Sequence, residues 1–384
     1  MQATVQDDGV NRNRIVVAGL GDVGVLTAIR LSRHADVVGI SAKPALVSGQ
    51  ELGVRLSRPG DWARDYWIPF DRFRRLDRVR IVQGTLTGLD LAGRTVWGRR
   101  EDGTTFAEEY DALVLCTGVS NGFWRRATMQ SAAEIGADLR AAHERVAAAK
   151  SVIVVGGGAA AVSSAANMAT TWPDKRIDLY FPGQRALGAY HPRIWQRIQA
   201  RLTDLGVGLH PGHRAALVNG FAGDQITSEP VQWSTGQPAA SADAVLWAIG
   251  RVQPNTDWLP PELLDEHGFV RVTPELRVPG QQRVFAVGDV AATDPLRSSA
   301  RNRGDTLAAH NIRATLTGRR LHTYRAPGRR WGSLLGIQPN GLEVFFPTGH
   351  ALRFPSWSVE RVVMPLIVRW GMYGGVRENQ PLAR

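Results

Sequence analysis

Short apolar runs recur along this chain, and several end directly in glycine. Ile15-Val16-Val17-Ala18 leads into Gly19-Leu20-Gly21-Asp22-Val23-Gly24, Val25 to Arg33 has helical spacing, and Val37 to Ile40 is the next apolar run. Continuous apolar runs this short suit strands buried on both faces of a parallel sheet. Strand, glycine turn, helix and strand make a βαβ unit. The pattern then restarts. Ser151 to Val155 predicts a strand, Gly156-Gly157-Gly158 a turn, Ala159 to Thr170 a helix, and Ile177 to Phe181 another strand. This internal duplication is the main organising feature of the 384 residues.

Other segments fill in around the two units. Arg80-Ile81-Val82 predicts a strand, and 85–109 alternates with turn residues as an antiparallel meander does. Asp111 to Cys116 predicts a strand ending at Thr117-Gly118, and Ala-rich Ser131 to Lys150 a helix. Ala244 to Ile249 and Arg283 to Val287 predict strands that each end in a glycine-containing turn. Residues 60–80, rich in aromatics and Arg, show no assignable period. The expected fold is α/β, with two Rossmann-like domains, the second inserted in the first. The first comprises 13–122 and 244–315, the second 123–243, and a C-terminal region 316–384 serves as an interface or membrane-associating segment.

Gly19-x-Gly21-x-x-Gly24 has the dinucleotide-binding spacing in its required place, between strand and helix. The first glycine allows a tight turn, the second lets backbone approach a pyrophosphate, and the third lets helix and strand pack closely. The helix N-terminus offers free N–H groups to the phosphates. Gly156-x-Gly158-x-x-Ala161 repeats the spacing with the accepted alanine variant. Two such units imply two dinucleotides between which electrons pass.

Charge and cysteine usage narrow the setting. The net charge of +11 favours an anionic membrane surface, an acidic protein or a phosphate-bearing ligand. No zinc-ligand spacing and no aromatic-basic RNA-binding signature accompany it, so neither a metal nor a nucleic acid is expected. A lone cysteine, Cys116, supports neither a disulfide framework nor a dithiol redox cycle, and reads as a small buried residue. Met1 to Arg14 is polar without a secretory apolar stretch, and no apolar run approaches the ~20 residues needed to span a bilayer. A cytoplasmic protein is expected, soluble or peripheral on the inner face of the membrane.

Further motifs carry a resemblance. Tyr110-Asp111-Ala112-Leu113-Val114-Leu115-Cys116-Thr117-Gly118, Trp247-Ala248-Ile249-Gly250-Arg251-x-x-Pro254-Asn255-Thr256 and Val284-Phe285-Ala286-Val287-Gly288-Asp289-Val290 resemble segments of the FAD-dependent pyridine nucleotide oxidoreductases, the two-dinucleotide-binding-domain flavoproteins. With both glycine motifs, they occur in that superfamily's order. The chain is most similar to the branch of apoptosis-inducing-factor-like and ferroptosis-suppressor-like quinone reductases and type II NADH dehydrogenases. Val82 to Thr87 is similar to that branch's adenine-cradling segment.

The resemblance implies that the first domain binds FAD through Gly19, Gly21, Asp22, Val23, Gly24, Ser41, Lys43, Thr85, Leu86, Thr117, Gly118, Gly288 and Asp289. Asp289 would accept hydrogen bonds from the ribitol; its alternative role is a helix N-cap. The second domain would bind NAD(P)H through Gly156, Gly158, Ala160, Ala161, Ser163, Arg185 and Gly250. Hydride would pass from NAD(P)H to FAD and electrons on to a quinone-like small-molecule acceptor. No catalytic side chain is assigned. Rival readings are a ferredoxin- or rubredoxin-type reductase, a specialised biosynthetic flavoenzyme, and a weakly active flavin-bound sensor or interaction protein. The lack of a CxxC pair excludes the disulfide-reductase members.

The sequence departs from the pattern at several places. Ser41, with Lys43 beyond it, stands where an acidic residue usually holds the adenosine ribose. In the second unit Phe181 takes that place and Arg185 follows, which favours NADPH slightly over NADH. Ser163 replaces a Glu expected on the helix after the second turn, and the quinone-contacting Gln-rich motif is missing. Asp305 and His310 are candidates for a substrate near the flavin or for a structural role. In the Arg-rich tail, Val359, Val362, Val363, Leu366, Ile367, Trp370 and Tyr373 fall on one face of a helix, with Arg361 and Arg369 off it and Pro365 interrupting it. That face fits a membrane surface, the FAD domain or a homodimer partner, and Trp357 and Trp370 suit each.

Overall fold

β1 (Arg14–Ala18) is apolar and buried after Arg14 because it lies at the centre of a sheet. With α1 (Asp22–Leu31) and β2 (Asp36–Ser41) it forms the first βαβ unit. The computed structural model describes residues 12–48, 51–122, 124–217 and 221–378. The chain next makes an excursion through β3 (Ala45–Val47), α2 (Leu52–Ser57), α3 (Pro59–Tyr66) and β4 (Trp67–Pro69), with β3 and β4 antiparallel. Tight turns at Phe70–Arg72 and Arg74–Arg78 follow. Trp62 is buried with Val54 and Leu139, and Phe70 and Phe73 in the first unit's core, so the segment is split between two cores and showed no single period.

β5 (Val79–Gln83) rejoins the sheet beside β2. The expected meander is β6 (Thr85–Asp90), β7 (Thr95–Arg99) and β8 (Thr105–Glu109). β9 (Ala112–Leu115) and the short β10 (Val119–Ser120) lead out of this part.

The second unit opens with α4 (Ala132–Ala148), whose start is fixed by a capping box. Ser131 Oγ accepts from the Glu134 amide, and the Glu134 carboxylate accepts from the Ser131 amide at 2.7 Å. β11 (Ser151–Val155), α5 (Ala159–Thr171), β12 (Arg176–Phe181), α6 (Pro192–Asp204), β13 (Gly208–Pro211) and β14 (Ala244–Trp247) complete it. The chain then returns through β15 (Gln253–Pro254), β16 (Val284–Ala286) and α7 (Gly304–Leu316).

The first sheet has the order β16-β9-β1-β2-β5 and the second β13-β12-β11-β14, with all pairs parallel. The expected division at residue 244 falls one strand early. β14 pairs with β11, Val155 opposite Trp247, so it completes the second sheet. The two crossings between the sheets are tied together where β10 pairs antiparallel with β15.

β17 (Gly332–Ser333), β18 (Leu342–Phe345) and β19 (Ala351–Phe354) form a small antiparallel sheet. Leu334, Leu335 and Phe345 join the second unit's core, and Asn167 of α5 donates to the Leu335 carbonyl at 3.0 Å. The final helix, Val359–Met372, passes through Pro365 and is wound as a π-helix, with Tyr373 N–H donating to the Val368 carbonyl. The wider turn splits the single apolar face expected at α-helical spacing. Val359, Val363 and Tyr373 turn inward, and Tyr373 meets Phe73 edge-on at 5.0 Å. Val362, Leu366, Ile367 and Trp370 turn outward, Trp370 being 60% exposed. No helix among the described residues is long and apolar enough to cross a membrane.

Candidate functional site

The two glycine turns are built alike. Gly19 has φ +102°, and a Cβ there would stand 2.5 Å from the Cys116 carbonyl oxygen. A Cβ on Gly24 would stand 1.9 Å from the Gly19 oxygen, while one on Gly21 would meet no atom within 4 Å. In the second turn Gly156 has φ +145°, with the Ala248 oxygen 2.1 Å from its would-be Cβ, and Gly158 again faces open space. Gly19 N–H donates to the Ile40 carbonyl and Gly156 N–H to that of Tyr180, so each turn is hung from the next strand of its own unit. In each turn the first glycine is required by packing, and Gly21 and Gly158 face open space.

One cleft of about 730 Å³ joins the turns, within the ~300–1,000 Å³ range of ligand pockets. Gly19, Gly21, Asp22, Val23, Ser41, Lys43, Thr85, Leu86, Thr117, Gly118, Gly288 and Asp289 line it from the first unit. Gly158, Ala160, Ser163 and Gly250 line it from the second. Gly24, Gly156 and Ala161 pack behind the turns. The long cleft and the bare Gly21 and Gly158 fit two dinucleotides.

Arg185 is placed differently from the expectation. Its guanidinium donates to the Tyr190 and Gly188 carbonyls at 3.4 and 3.3 Å, closing its own loop beside the cleft-lining Tyr190. Phe181 is buried edge-on against Trp195. Asp305 is also elsewhere, accepting from Arg30 at 2.5 Å across the α1–α7 contact. His310 stacks on His322 at 4.0 Å. Cys116 is buried against Gly24, and that burial pushes its thiol far above its ordinary range, as suits a small packed residue.

Polar groups hold the cleft's shape. Thr117 Oγ1 donates to the Asn255 carbonyl, and the Asn255 amide donates back to the Thr117 carbonyl, both at 2.9 Å. Ser41 Oγ accepts from the Lys43 N–H at 3.1 Å. The Lys43 ammonium, brought down to about 8 by burial, donates to the Thr128 carbonyl and to Gln130, drawing 128–130 across the opening. Ser163 is pressed against α2: a Cβ on Gly53 would stand 2.2 Å from its carbonyl oxygen. A close helix contact thus occupies the place where a Glu was expected.

Two lining residues escaped the sequence reading. Arg125 donates to Asp289 at 3.0 Å, bridging the cleft between the Thr117-Gly118 turn and the late strand's end. Burial also raises the Asp22 carboxyl, opposed mainly by Arg125. Glu51 enters from just before α2, and burial pushes its carboxyl up to about 7. Neither sits in a glycine motif or a periodic segment; the excursion after β3 and the loop after β10 bring them in. Among the described residues no three His, Cys, Asp or Glu side chains gather as a metal would require.

The geometry agrees with relatedness to known proteins. The chain is 27% identical to the oxidoreductase ptaL of Pestalotiopsis fici over 92% of its own length and 96% of that protein's. It is 26% identical to the type II NADH:quinone oxidoreductase Ndh of Mycobacterium tuberculosis, over 80% of this chain and 73% of that one. Its fold matches the NADH-bound water-forming NADH oxidase of Lactobacillus brevis with a TM-score of 0.63, at 16% identity, over 87% of this chain and 75% of the other. Residues 14–311 match the pattern of one family, which takes in both glycine turns and the strands that carry them. The chain belongs to the pyridine nucleotide-disulphide oxidoreductases.

Proposed function

We propose that the chain holds FAD in the first unit, takes NAD(P)H at the second and reduces a quinone-like acceptor. The observation that carries this is the single cleft running from Gly21 to Gly158. Gly21, Thr117-Gly118 and Asp289 would hold FAD, with Arg125 free to move from Asp289 to a phosphate. Gly158, Ala160 and Gly250 would hold the nucleotide. Bound FAD supplies the two-electron relay between donor and acceptor. The chain contributes binding, orientation and exclusion of water. Phe181 leaves no carboxylate at the end of β12 to repel a 2′-phosphate, so NADPH is slightly favoured and both NADPH and NADH are proposed donors.

Similarity to a type II NADH:quinone oxidoreductase supports a quinone, as do the apolar cleft walls at Leu52, Trp331 and Leu334. Anaerobically reduced protein should be reoxidised rapidly by a short-chain quinone and slowly by a ferredoxin. Reoxidation by ferredoxin alone would show an acidic protein partner instead. The outward side of the last helix fits peripheral attachment to a membrane, where such quinones dissolve: Trp357, Leu366, Ile367 and Trp370 are each more than half exposed. The double variant Leu366→Glu, Trp370→Glu is expected to lose co-sedimentation with anionic vesicles that the parent shows. Equal sedimentation of both would remove the membrane reading.

A further inference from the structure

We propose that Glu51 is the acid that delivers a proton to the acceptor in the shared cleft. This rests on the quinone reading above. Reduction of a quinone to a hydroquinone takes up two electrons and two protons. NAD(P)H provides both electrons and one hydrogen as its C4–H bond breaks. The other proton leaves the Glu51 O–H as a new O–H bond forms on a quinone oxygen, and solvent restores it to Glu51. In sum, NAD(P)H, a proton and the quinone become NAD(P)⁺ and the hydroquinone.

The placement is specific. Glu51 lines the cleft between the two units, just before α2, with a left-handed backbone at φ 58°. A conformation rare for a non-glycine residue is held here by its surroundings. Its carbonyl accepts from the Arg55 N–H at 3.0 Å, and Gly53, two residues on, packs directly on Ser163. The C-terminal segment, which lines the cleft at Ser333 and Leu334, also approaches Glu51 at Gly336. A Cβ there, on a backbone at φ +68°, would stand 2.7 Å from Glu51 Oε2 and 2.9 Å from Val54 Cγ2, so the carboxyl is closely packed on this side.

The charged and titratable groups facing it are Arg301, beyond the 298–300 turn, and Tyr66 on α3. Burial outweighs the pull of Arg301, so the carboxyl holds its proton to about 7. A general acid works best when its proton affinity lies near the operating pH. Ser163 offers no carboxyl from the α5 side; Glu51 supplies one from α2.

Glu51→Gln keeps the shape and removes the acid. In the flavin-loaded protein, reoxidation by a short-chain quinone should slow about a hundredfold. Reoxidation by ferricyanide, which takes up no proton, should be unchanged. The parent's quinone rate should fall as pH rises through about 7, and the variant's should not.

A second readout needs no turnover. The folded protein holds this proton more tightly than the unfolded chain, so its stabilising contribution is full below 4.5 and is lost as pH rises through about 7. Glu51→Gln should therefore melt with the parent at pH 4.5 and above it at pH 8, and infrared spectra of the parent should show a carboxyl band titrating near 7 that the variant lacks. A parent that reduces no quinone overturns the quinone reading and this role with it. A parent that reduces quinone no faster than Glu51→Gln, or that lacks the titrating band, overturns the proton role alone.

Discussion

Gly24→Ala is expected to yield a destabilised protein that does not retain FAD. The new Cβ would stand 1.9 Å from the Gly19 oxygen and 2.9 Å from its carbonyl carbon. Both are backbone atoms, fixed by β1 and by the Gly19 bond to Ile40, so relief requires α1 to move off the sheet. Overpacking of side chains costs about 1–3 kcal/mol, and a backbone obstacle belongs at the upper end or above it. The moving element is also the one whose first amides would meet the pyrophosphate. A loss of ~3 kcal/mol is about a hundredfold in affinity. Gly21→Ala is the informative contrast, because its Cβ meets no protein atom within 4 Å. It should melt at the parent's temperature and still lose flavin. The flavin-to-protein absorbance ratio and the melting temperature of the two variants read this directly, and a flavin-replete Gly24→Ala protein would contradict the account.

Gly156→Ala should separate the two sites. Its Cβ would stand 2.1 Å from the Ala248 oxygen, on a backbone at φ +145° that side chains rarely adopt. The damage falls on the second turn, more than a hundred residues from the first in sequence and hung from a different sheet. The variant is expected to keep its flavin and to lose reduction of that flavin by NAD(P)H, by about a hundredfold or more for ~3 kcal/mol of displaced binding geometry. Rapid mixing under anaerobic conditions measures it. If the variant is reduced at the parent's rate, the nucleotide does not enter at this turn.

Much of the fold was legible because the glycine turns are local demands. Gly24 answers to the Gly19 carbonyl of its own turn, a need that spacing encodes, while Gly19 and Gly156 answer to the distant Cys116 and Ala248 carbonyls yet still sit at the motif's spacing. Strand-length apolar runs set the two sheets for the same reason. Side chains arriving from distant segments left no such mark. Arg125 bridges to Asp289 across 164 residues, and Glu51 depends on Gly53, Ser163 and Gly336 together. Asp305 takes the structural alternative, paired with Arg30, and residue type near a motif could not say which guanidinium is closer. The last helix shows the same limit in another form. A 3.6-residue period placed seven apolar residues on one face, and the π winding through Pro365 divided them between the core and the surface.

The central claim is that one cleft brings a flavin and a pyridine nucleotide together. Its most direct test is the absorbance spectrum of the purified protein, recorded anaerobically before and after addition of NADPH, and separately of NADH. The structure predicts bound flavin at the outset and loss of its oxidised absorbance with at least one of the nucleotides. A protein that carries no flavin, or whose bound flavin neither nucleotide bleaches, would contradict it.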